Sequence, residues 1–354
     1  MAIDEAHASP ESMAESTQRR KLELILAHHW RDTVAASVSV DQASVRILQG
    51  QVTKLALESD ALLYMLHALS SLHLHIVGAE NLTRLVADLG YEANIHQRYF
   101  IMSLQKQQRA IANLSSDNTE ALAAASIALR AYLFASLQSR PLKPYQPPQE
   151  WLHTCRSTAR MYKESVRVSE QHSSAAEADD MHAVTHHLGR NKTIREEVDR
   201  LDHGGESAID IKLRRLVDGI NETEVAECNS QSAEFFAGSF EALYRIYEPV
   251  VRSLHELFSI PDTVEDVQTQ RLRKLIVFPV FIGHNFARLV QEGQPRALVI
   301  LSHYFAILSH YSHLWWVGQS GVREVDAVAE MLQGTAFADK MEWPLQIVSA
   351  RRGN

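Results

Sequence analysis

The stretch DALLYMLHALSSLHLHIVG, residues 60–78, decides the fold class of this chain. Its large apolar side chains recur at steps of three and four residues, which places them on one face of an α-helix. They are Leu62, Met65, Leu66, Leu69, Leu72 and Ile76. Asp60 can cap the start of this helix, and Gly78 stands just past its end. A helix with so wide an apolar face packs inside a core, so the stretch predicts a buried helix.

Helical patterns continue on both sides of this stretch. They predict further helices at 81–114, 119–138, 151–167, 206–258, 264–292 with a kink or restart near Pro279, 295–311 and 322–333. Pro295 suits the first position of its helix, because that position needs no hydrogen-bond donor. The string RPLKPYQPPQ (140–149) carries four prolines and predicts a connection. Gly and Pro number only 14 and 10 among 354 residues, too few for a many-stranded architecture.

The predicted fold class is therefore all-α, with a single helical domain of roughly ten helices around an apolar ligand cavity. The predicted boundaries are a disordered polar tail at 1–20, a helical isoprenoid-binding domain at 21–348, and a short tail at 349–354. Within the domain, the helical pattern decays at 168–210, which predicts an irregular insertion.

Charge and cysteine content exclude several classes of protein. Lys and Arg number 35 against 43 Asp and Glu, and a net charge of −8 argues against direct nucleic-acid binding, which needs clustered cations. The two cysteines, Cys155 and Cys228, give neither a disulfide framework nor a zinc-binding spacing. The start lacks the apolar segment of a secretory signal, and no apolar run is long enough to span a membrane. We therefore expect a cytoplasmic protein without a membrane span.

Several strings resemble the helical regulatory domain of fungal zinc-cluster transcription factors of the sterol uptake control type. They are the stretch at 60–78, YEANIHQRYFIMSLQKQ, DNTEALAAASIAL, and QPRALVILSHYFAILSHYSHLWWVGQSGVREVDAVAEML followed by EWP. The resemblance runs from about residue 22 to 346. It implies an all-helical domain with an apolar pocket for a sterol-like or other isoprenoid ligand. Such regulators also carry six cysteines that bind two zinc ions and read DNA, and the two cysteines of this chain cannot form that cluster.

The missing zinc cluster, the isoprenoid-binding fold and the basic trio Arg271, Arg273 and Lys274 motivate a further hypothesis. It is that the chain is similar to the humulene-synthase-like enzymes of tropolone sesquiterpenoid pathways, which are helical, magnesium-dependent cyclases of farnesyl diphosphate. It implies an atypical class I-like sesquiterpene cyclase of fungal secondary metabolism, with Mg²⁺ as cofactor and a lysine that holds the diphosphate. This is the leading hypothesis. The alternative is a sterol- or isoprenoid-sensing regulatory domain without a DNA-binding module, which would be nuclear. A third reading is an inert partner protein that dimerises through the same helices.

The cyclase hypothesis needs cations that hold the leaving diphosphate. In QRLRKLIVFPVF, Arg271 and Lys274 lie three residues apart on one helical face, and Arg273 stands between them. We assign these three residues to the catalytic site, with Lys274 first. The alternative interpretation is a basic cluster that extends from a helix surface into solvent.

Two acidic clusters are candidates for binding Mg²⁺. Asp179 and Asp180 open DDMHAVTHH and resemble the first half of the DDxxD box of ordinary class I cyclases, while the second half is missing. Asp218 and Glu227 flank a degenerate form of the other cyclase magnesium box in DGINETEVAE. The first cluster also fits an exposed polar stretch in a flexible insertion. The second also fits the solvated face of a long helix, since glutamates recur every seven residues from Glu227 onwards.

Aromatic side chains predict the wall of the ligand pocket. The assigned pocket residues are Phe278, Phe281, His303, Trp315 and Trp316. Their faces could stabilise a carbocation, and at these spacings they also fit an ordinary core. His67 and the other histidines of the first helices are interpreted as core residues. A cyclase should turn its cations and carboxylates towards one cavity, whereas the pocket of a regulator should carry few charges.

Overall fold

The computed structural model describes residues 16–157 without 79 and 92–93, residue 167, and residues 213, 215–222, 224–226, 240–258 and 267–352. These residues form helices, turns and connections, and none of them lies in a strand. The all-α prediction is confirmed for the described residues. They divide into two compact units. Unit 1 contains the described residues of 16–133 and residue 167, and unit 2 contains the described residues of 134–157 and 213–352.

Unit 1 is a set of helices packed around the predicted buried helix. Its helices are α1 (Thr17–His29), α2 (Ala35–Ser37), α3 (Gln42–Ile47), α4 (Thr53–Glu58), α5 (Asp60–Val77), α6 (Glu80–Asp88), α7 (Ile95–Ala112) and the first turns of α8 (Ser116–Ser136). Two π-helical turns, Trp30–Val34 and Leu48–Val52, interrupt the chain between α1 and α4. Helix α1 begins at Thr17, inside the predicted tail, because the side chain of Ser16 accepts a hydrogen bond from the Arg19 amide.

The central helix α5 confirms the prediction for residues 60–78. Its N-cap is Ser59, whose side chain accepts from the Leu62 amide, so the cap lies one residue before the predicted Asp60. Gly78 ends the helix in the left-handed conformation at φ 69°, which glycine adopts without strain. The helix packs most extensively against α7, and α1 covers another part of it. Most of its residues from Ala61 to Leu74 are buried.

The prediction of one continuous helix at 81–114 is wrong, because the chain forms two helices there. Helix α6 ends at Asp88 and α7 begins at Ile95. Gly90 lies between them with a positive φ of 80°, a conformation that stops a helix. The two helices can therefore pack in different directions, and it is α7 that covers α5.

Unit 2 is built around the helix that begins at Pro295. After the helical residues 149–157, its helices are α9 (Phe240–Phe258), α10 (Val267–Phe281), α11 (His284–Gln291), α12 (Pro295–Leu308), α13 (Ser320–Leu332) and α14 (Glu342–Ser349). Every residue of α12 from Arg296 to Leu308 is buried. The break predicted near Pro279 follows at Ile282 and Gly283, where α10 ends and α11 begins.

Several predictions on organisation lie beyond these observations. The irregular insertion at 168–210 and the first 15 residues lie outside the described residues. The single domain at 21–348 and its ligand cavity stay predictions. No helix of the described residues is by itself long and apolar enough to cross a membrane.

Candidate functional site

The three residues of the predicted basic trio lie on α10, and Lys274 and Arg271 lie near different side chains. Lys274 Nζ lies 3.7 Å from Glu256 Oε2 on α9. Arg271 lies near His310 instead, where burial, then Arg351 and then Arg271 itself lower the pKa of the imidazole. Arg273 is half-buried on the same helix. Glu256, whose carboxylate lies beside Lys274, was not assigned to the site by sequence reasoning.

The predicted magnesium carboxylates are only partly described. Asp179, Asp180 and Glu227 lie outside the described residues. Asp218 is exposed, and its backbone carbonyl accepts a hydrogen bond of 3.1 Å from Arg296 Nη1. No group of three His, Cys, Asp or Glu side chains in the described part of the chain comes together as a metal site. The Mg²⁺ site stays a prediction.

The segment around Asp218 is held by a buried arginine. Arg296 is 2% exposed, and its guanidinium donates to Glu224 at 2.7 Å and to the carbonyls of Leu216 and Gly219 at 2.7 and 3.0 Å. These charge-assisted bonds attach Leu216, Gly219 and Glu224 to the start of α12. The Arg296 guanidinium and the Glu224 carboxylate therefore hold two parts of the fold together.

The predicted pocket aromatics pack against other aromatic rings in unit 2. Phe278 stacks on Tyr304 with centroids 4.5 Å apart, and Trp316 meets Phe134 edge-on at 5.7 Å. Trp315 is half-buried, and its carbonyl accepts a hydrogen bond of 2.7 Å from Gln138. Phe281 is the last residue of α10, and only its backbone is described. Their assignment to a pocket wall stays a prediction.

His303 is held in one tautomer inside unit 2. Its Nδ1 donates to the Val299 carbonyl at 2.8 Å, and its ring stacks on Trp343 with centroids 5.1 Å apart. Burial lowers the pKa of His303 to about 4, so the ring is neutral near pH 7. With Nδ1 protonated, Nε2 of the neutral ring can only accept a hydrogen bond.

Unit 1 contains a polar network where α1, α5 and α7 meet. Arg19 Nε donates to Glu23 at 2.8 Å, and its Nη2 donates to the Tyr64 hydroxyl at 3.2 Å. The Tyr99 hydroxyl donates to the same Glu23 carboxylate at 3.4 Å. Burial, with Glu23 beside it, raises the pKa of Tyr99, so this hydroxyl stays protonated as a donor. Every member of this network has a partner.

Other buried histidines of unit 1 are paired. His29 and His73 share a hydrogen bond of 3.0 Å between Nε2 and Nδ1. His96 Nδ1 lies 2.8 Å from the Tyr132 hydroxyl. Burial lowers the pKa of His73 and of His96 to about 4, and the neighbouring histidine acts in the same direction. These rings are neutral at pH 7 and satisfied within the fold.

Two neighbouring side chains of α5 differ from all of these. His67 is 1% exposed, and neither ring nitrogen has a hydrogen-bond partner among the described residues. Ser70, one helical turn further on, is fully buried, and its Oγ also has no partner there. By contrast, the next residue, Ser71, donates to the His67 carbonyl at 2.7 Å. Burial, and then Arg19, lower the pKa of His67 to about 3, so its ring is neutral and offers one donor and one acceptor.

These two residues form the polar pair of α5, and sequence reasoning did not select them. His67 was interpreted as one core histidine among several, and Ser70 was not considered. The signal was present in HALSSLH (67–73), where four polar residues interrupt an otherwise apolar helix. Leaving an imidazole and a hydroxyl buried without partners costs roughly 1–3 kcal/mol for each group. Each such group in a native protein requires an explanation, such as a bound molecule.

Comparison with known proteins shows what the segment that contains this pair is similar to. Residues 24–177, which contain α5, match the family model for the fungal specific transcription factor domain. The predicted resemblance to fungal transcription-factor regulatory domains is confirmed. The chain is also 22% identical over 288 residues to the Zn(2)-C6 fungal-type transcription factor afumD of Aspergillus fumigatus, covering 80% of this chain and 66% of that protein.

A second relative is a Zn(2)-C6 fungal-type transcription factor of Gibberella zeae, 30% identical over 73 residues, or 20% of this chain and 15% of that protein. The chain thus spans only part of the length of either relative. These matches favour the regulatory alternative over the leading cyclase hypothesis, which they do not support.

Proposed function

We propose that this chain is a ligand-sensing regulatory domain of the fungal transcription-factor type, and that unit 1 binds a small, neutral, largely apolar ligand. The observation that carries the proposal is the polar pair of α5, which lies in the segment that matches the family and is buried without a hydrogen-bond partner among the described residues. Ligand sites are mainly apolar, with a few polar groups that fix the orientation of the ligand. His67 and Ser70 supply such groups inside an apolar helix.

The uncharged state of the His67 imidazole indicates a neutral ligand. An imidazole with a pKa of about 3 carries no charge at pH 7 and cannot compensate a buried anion. A hydroxyl or carbonyl group on an apolar body would satisfy both His67 and Ser70. A sterol or a related isoprenoid alcohol has this chemistry, in agreement with the ligand class implied by the family resemblance.

The backbone next to α5 supports a role in ligand entry. The π-helical turn Trp30–Val34 contacts α5, and the second π-helical turn, Leu48–Val52, contacts the first. Gln51 in that second turn carries a buried Oε1 that has no partner among the described residues. Turns of this kind are frequent at functional sites, where the regular backbone bonding is interrupted. This wall of unit 1 is therefore the part that we expect to move when the ligand binds.

The test is thermal unfolding of the purified protein with ergosterol and without magnesium. We expect a rise in melting temperature that grows with sterol concentration, because a ligand at 100 times its Kd stabilises the folded state by about 2.7 kcal/mol. Ser70→Ala should lose this stabilisation, since the hydroxyl is one of the two proposed anchors. The free protein should unfold at the same temperature or a higher one, because no internal hydrogen bond is lost.

Ser71→Ala is the matched control, because Ser71 is the adjacent buried serine and already bonds to carbonyls of its own helix. This variant should respond to sterol like the unchanged protein. An equal sterol response in Ser70→Ala, Ser71→Ala and the unchanged protein would contradict the proposed site. The absence of any sterol response would contradict the ligand class.

A second assay tests the cyclase hypothesis directly. The protein is incubated with farnesyl diphosphate and Mg²⁺, and the products are analysed by gas chromatography with mass detection. If the chain is a regulator, we expect no hydrocarbon product. A magnesium-dependent humulene-type product that disappears in Lys274→Ala would overturn our proposal in favour of the enzyme. As a regulator, the domain would act in the nucleus. It would reach DNA through a separate zinc-cluster region or through a partner protein. We also propose that it can form a homodimer through its helices.

A further inference from the structure

The start of α13 carries two buried polar groups on one face of the helix. Ser320, the first residue of α13, is 1% exposed, and its Oγ has no hydrogen-bond partner among the described residues. Three residues further on, the Nη1 atom of Arg323 is buried and also lacks a partner in that part of the chain. Residues three apart in a helix lie on the same face, so the two side chains are neighbours. We call them the polar pair of α13.

The carboxylate next to Arg323 in the sequence does not balance its charge. That carboxylate, Glu324, is fully buried, and the Arg140 guanidinium binds both of its oxygens. The Tyr145 hydroxyl donates to the same carboxylate at 3.2 Å. Arg323 Nη2 donates instead to the neutral backbone carbonyl of Arg140 at 2.9 Å. A buried charge is costly without compensation, so an anion beside Arg323 Nη1 would stabilise this guanidinium.

The first turn of α13 favours the same kind of ligand. The N-cap Gln319 makes no side-chain hydrogen bond to this turn. The first backbone amides of a helix carry a partial positive charge, which attracts anions. The Ser320 hydroxyl lies in this turn and can donate to one oxygen of an anion while Arg323 Nη1 donates to another. Hydrogen bonds from such donors to a charged oxygen are stronger than those to a neutral one.

Close packing around this turn limits the size of the anion. A Cβ atom at Gly321 would lie 2.5 Å from the Phe305 carbonyl oxygen on α12. A Cβ atom at Gly318, just before the helix, would lie 1.8 Å from Gln138 Oε1. The backbone therefore lies against its neighbours on either side of the first turn. Arg323 as a whole is half-buried, so a small ion can reach its guanidinium from solvent.

We propose that the polar pair of α13 binds a small oxyanion, either a phosphate ion or the carboxylate of a short organic acid. Arg323 supplies the balancing charge and a hydrogen bond from Nη1, and Ser320 donates a second hydrogen bond through Oγ. The site lies within unit 2 and takes an anion. The inference therefore does not rest on the neutral ligand that we propose for unit 1.

The test is thermal unfolding of the full chain at pH 7 in sodium acetate or sodium phosphate, between about 0.1 and 10 mM, with chloride added to keep the ionic strength constant. These concentrations stay low because concentrated phosphate stabilises proteins in general. We expect at least one of the two oxyanions to raise the melting temperature with increasing concentration, while chloride alone does not. The comparison of acetate with phosphate tells which oxyanion the site prefers. Benzoate and phenyl phosphate test the size limit and should stabilise the protein less than acetate and phosphate.

Two variants test the residues, and each has a matched control. Arg323→Met should weaken the apparent affinity for the oxyanion by at least about tenfold, and Ser320→Ala by about threefold or more. Arg352→Met is the control for the arginine, because Arg352 already pairs with Asp326 on the same helix. Ser302→Ala is the control for the serine, because Ser302 is a fully buried serine that donates within its own helix, α12. Both controls should respond to the oxyanion like the unchanged protein.

Three results would overturn the proposal. They are equal melting temperatures in oxyanion and in chloride, an equal oxyanion response in Arg323→Met and Arg352→Met, and stronger stabilisation by benzoate and phenyl phosphate than by the small anions. Ser320→Ala loses no hydrogen bond to a described residue, so it decides the question if Arg323→Met does not fold. Ser70→Ala should keep the oxyanion response, and Ser320→Ala should keep the sterol response. Failure of one proposal can thus be told from failure of the other.

Discussion

Replacing Gly321 by alanine tests how tightly α13 packs on α12. A Cβ atom at this position would lie 2.5 Å from the Phe305 carbonyl oxygen, 2.9 Å from the Ser309 amide nitrogen and 3.1 Å from the Ser309 Cα. All three are backbone atoms, so no side-chain rotation can relieve the contact. Helix α13 would have to move away from α12 by several tenths of an ångström, which would loosen the buried layer between them.

The magnitude follows from two opposing effects. Forcing an extra methyl group into a packed interior costs typically about 1–3 kcal/mol. Alanine is favoured over glycine within a helix by up to about 1 kcal/mol, and the gain is smaller here because Gly321 lies in the first turn of α13. We therefore expect Gly321→Ala to lower the free energy of unfolding by roughly 1–2 kcal/mol.

The assay is urea unfolding followed by circular dichroism, with Gly50→Ala as the control. Gly50 lies in the π-helical turn Leu48–Val52, and a Cβ there would meet no atom within 4 Å. That variant should be unchanged, or more stable by about 0.5–1 kcal/mol, because alanine loses less conformational freedom on folding. If Gly321→Ala were as stable as Gly50→Ala, the close approach of the two helices that we describe would be wrong.

Three further predictions concern charge. Glu324 is fully buried and binds the Arg140 guanidinium through both oxygens, so Glu324→Ala should cost roughly 3–5 kcal/mol in urea unfolding; a loss below about 1 kcal/mol would contradict this account of the pair. In the folded protein, burial lowers the pKa of the imidazoles of His67 and His303 to about 3 and about 4, whereas in the unfolded chain both have the ordinary pKa of 6.5. Below pH 6.5 the unfolded chain therefore binds more protons than the folded protein. The contribution of the two imidazoles is fully present above pH 6.5 and is lost as the pH falls towards 4, so urea unfolding at a series of pH values should show declining stability, and His67→Phe should reduce the slope. Lys274→Ala should change the free energy of unfolding by less than about 1 kcal/mol, because its ion pair is long and partly exposed; a larger loss would indicate a structural role that the geometry does not explain.

The parts of the fold that the sequence predicts well are those set by local patterns. Helix α5 follows from apolar spacing within one stretch and from the glycine after it, and α12 begins at Pro295 as expected for a proline at the first helical position. The division of 81–114 into α6 and α7 was not predicted, because one glycine with positive φ outweighed a helical pattern that continues beyond it. Local preference and pattern decide where helices exist better than where they end.

The candidate site could not be predicted in the same way, because it depends on which side chains find partners far along the chain. Arg296 binds Glu224, and Arg140 binds Glu324 across a much longer separation. Neither pair appears in any local pattern. For the same reason, nothing in the residues around His67 indicated that its ring nitrogens would lack a hydrogen-bond partner among the described residues, whereas His29 and His73 bond to each other.

The partners of particular residues also bear on the two functional hypotheses. A cyclase needs cations that face a diphosphate, but Arg140 and Arg296 of unit 2 bind carboxylates, and Nζ of the assigned Lys274 lies 3.7 Å from Glu256. In unit 1, His67 and Ser70 are uncharged, and their side-chain nitrogens and hydroxyl have no hydrogen-bond partner among the described residues. An uncharged hydroxyl or carbonyl satisfies such atoms without the large desolvation cost of a buried ion. A neutral ligand that binds there would stabilise the folded domain directly, and a regulator can use that coupling between binding and stability as its signal.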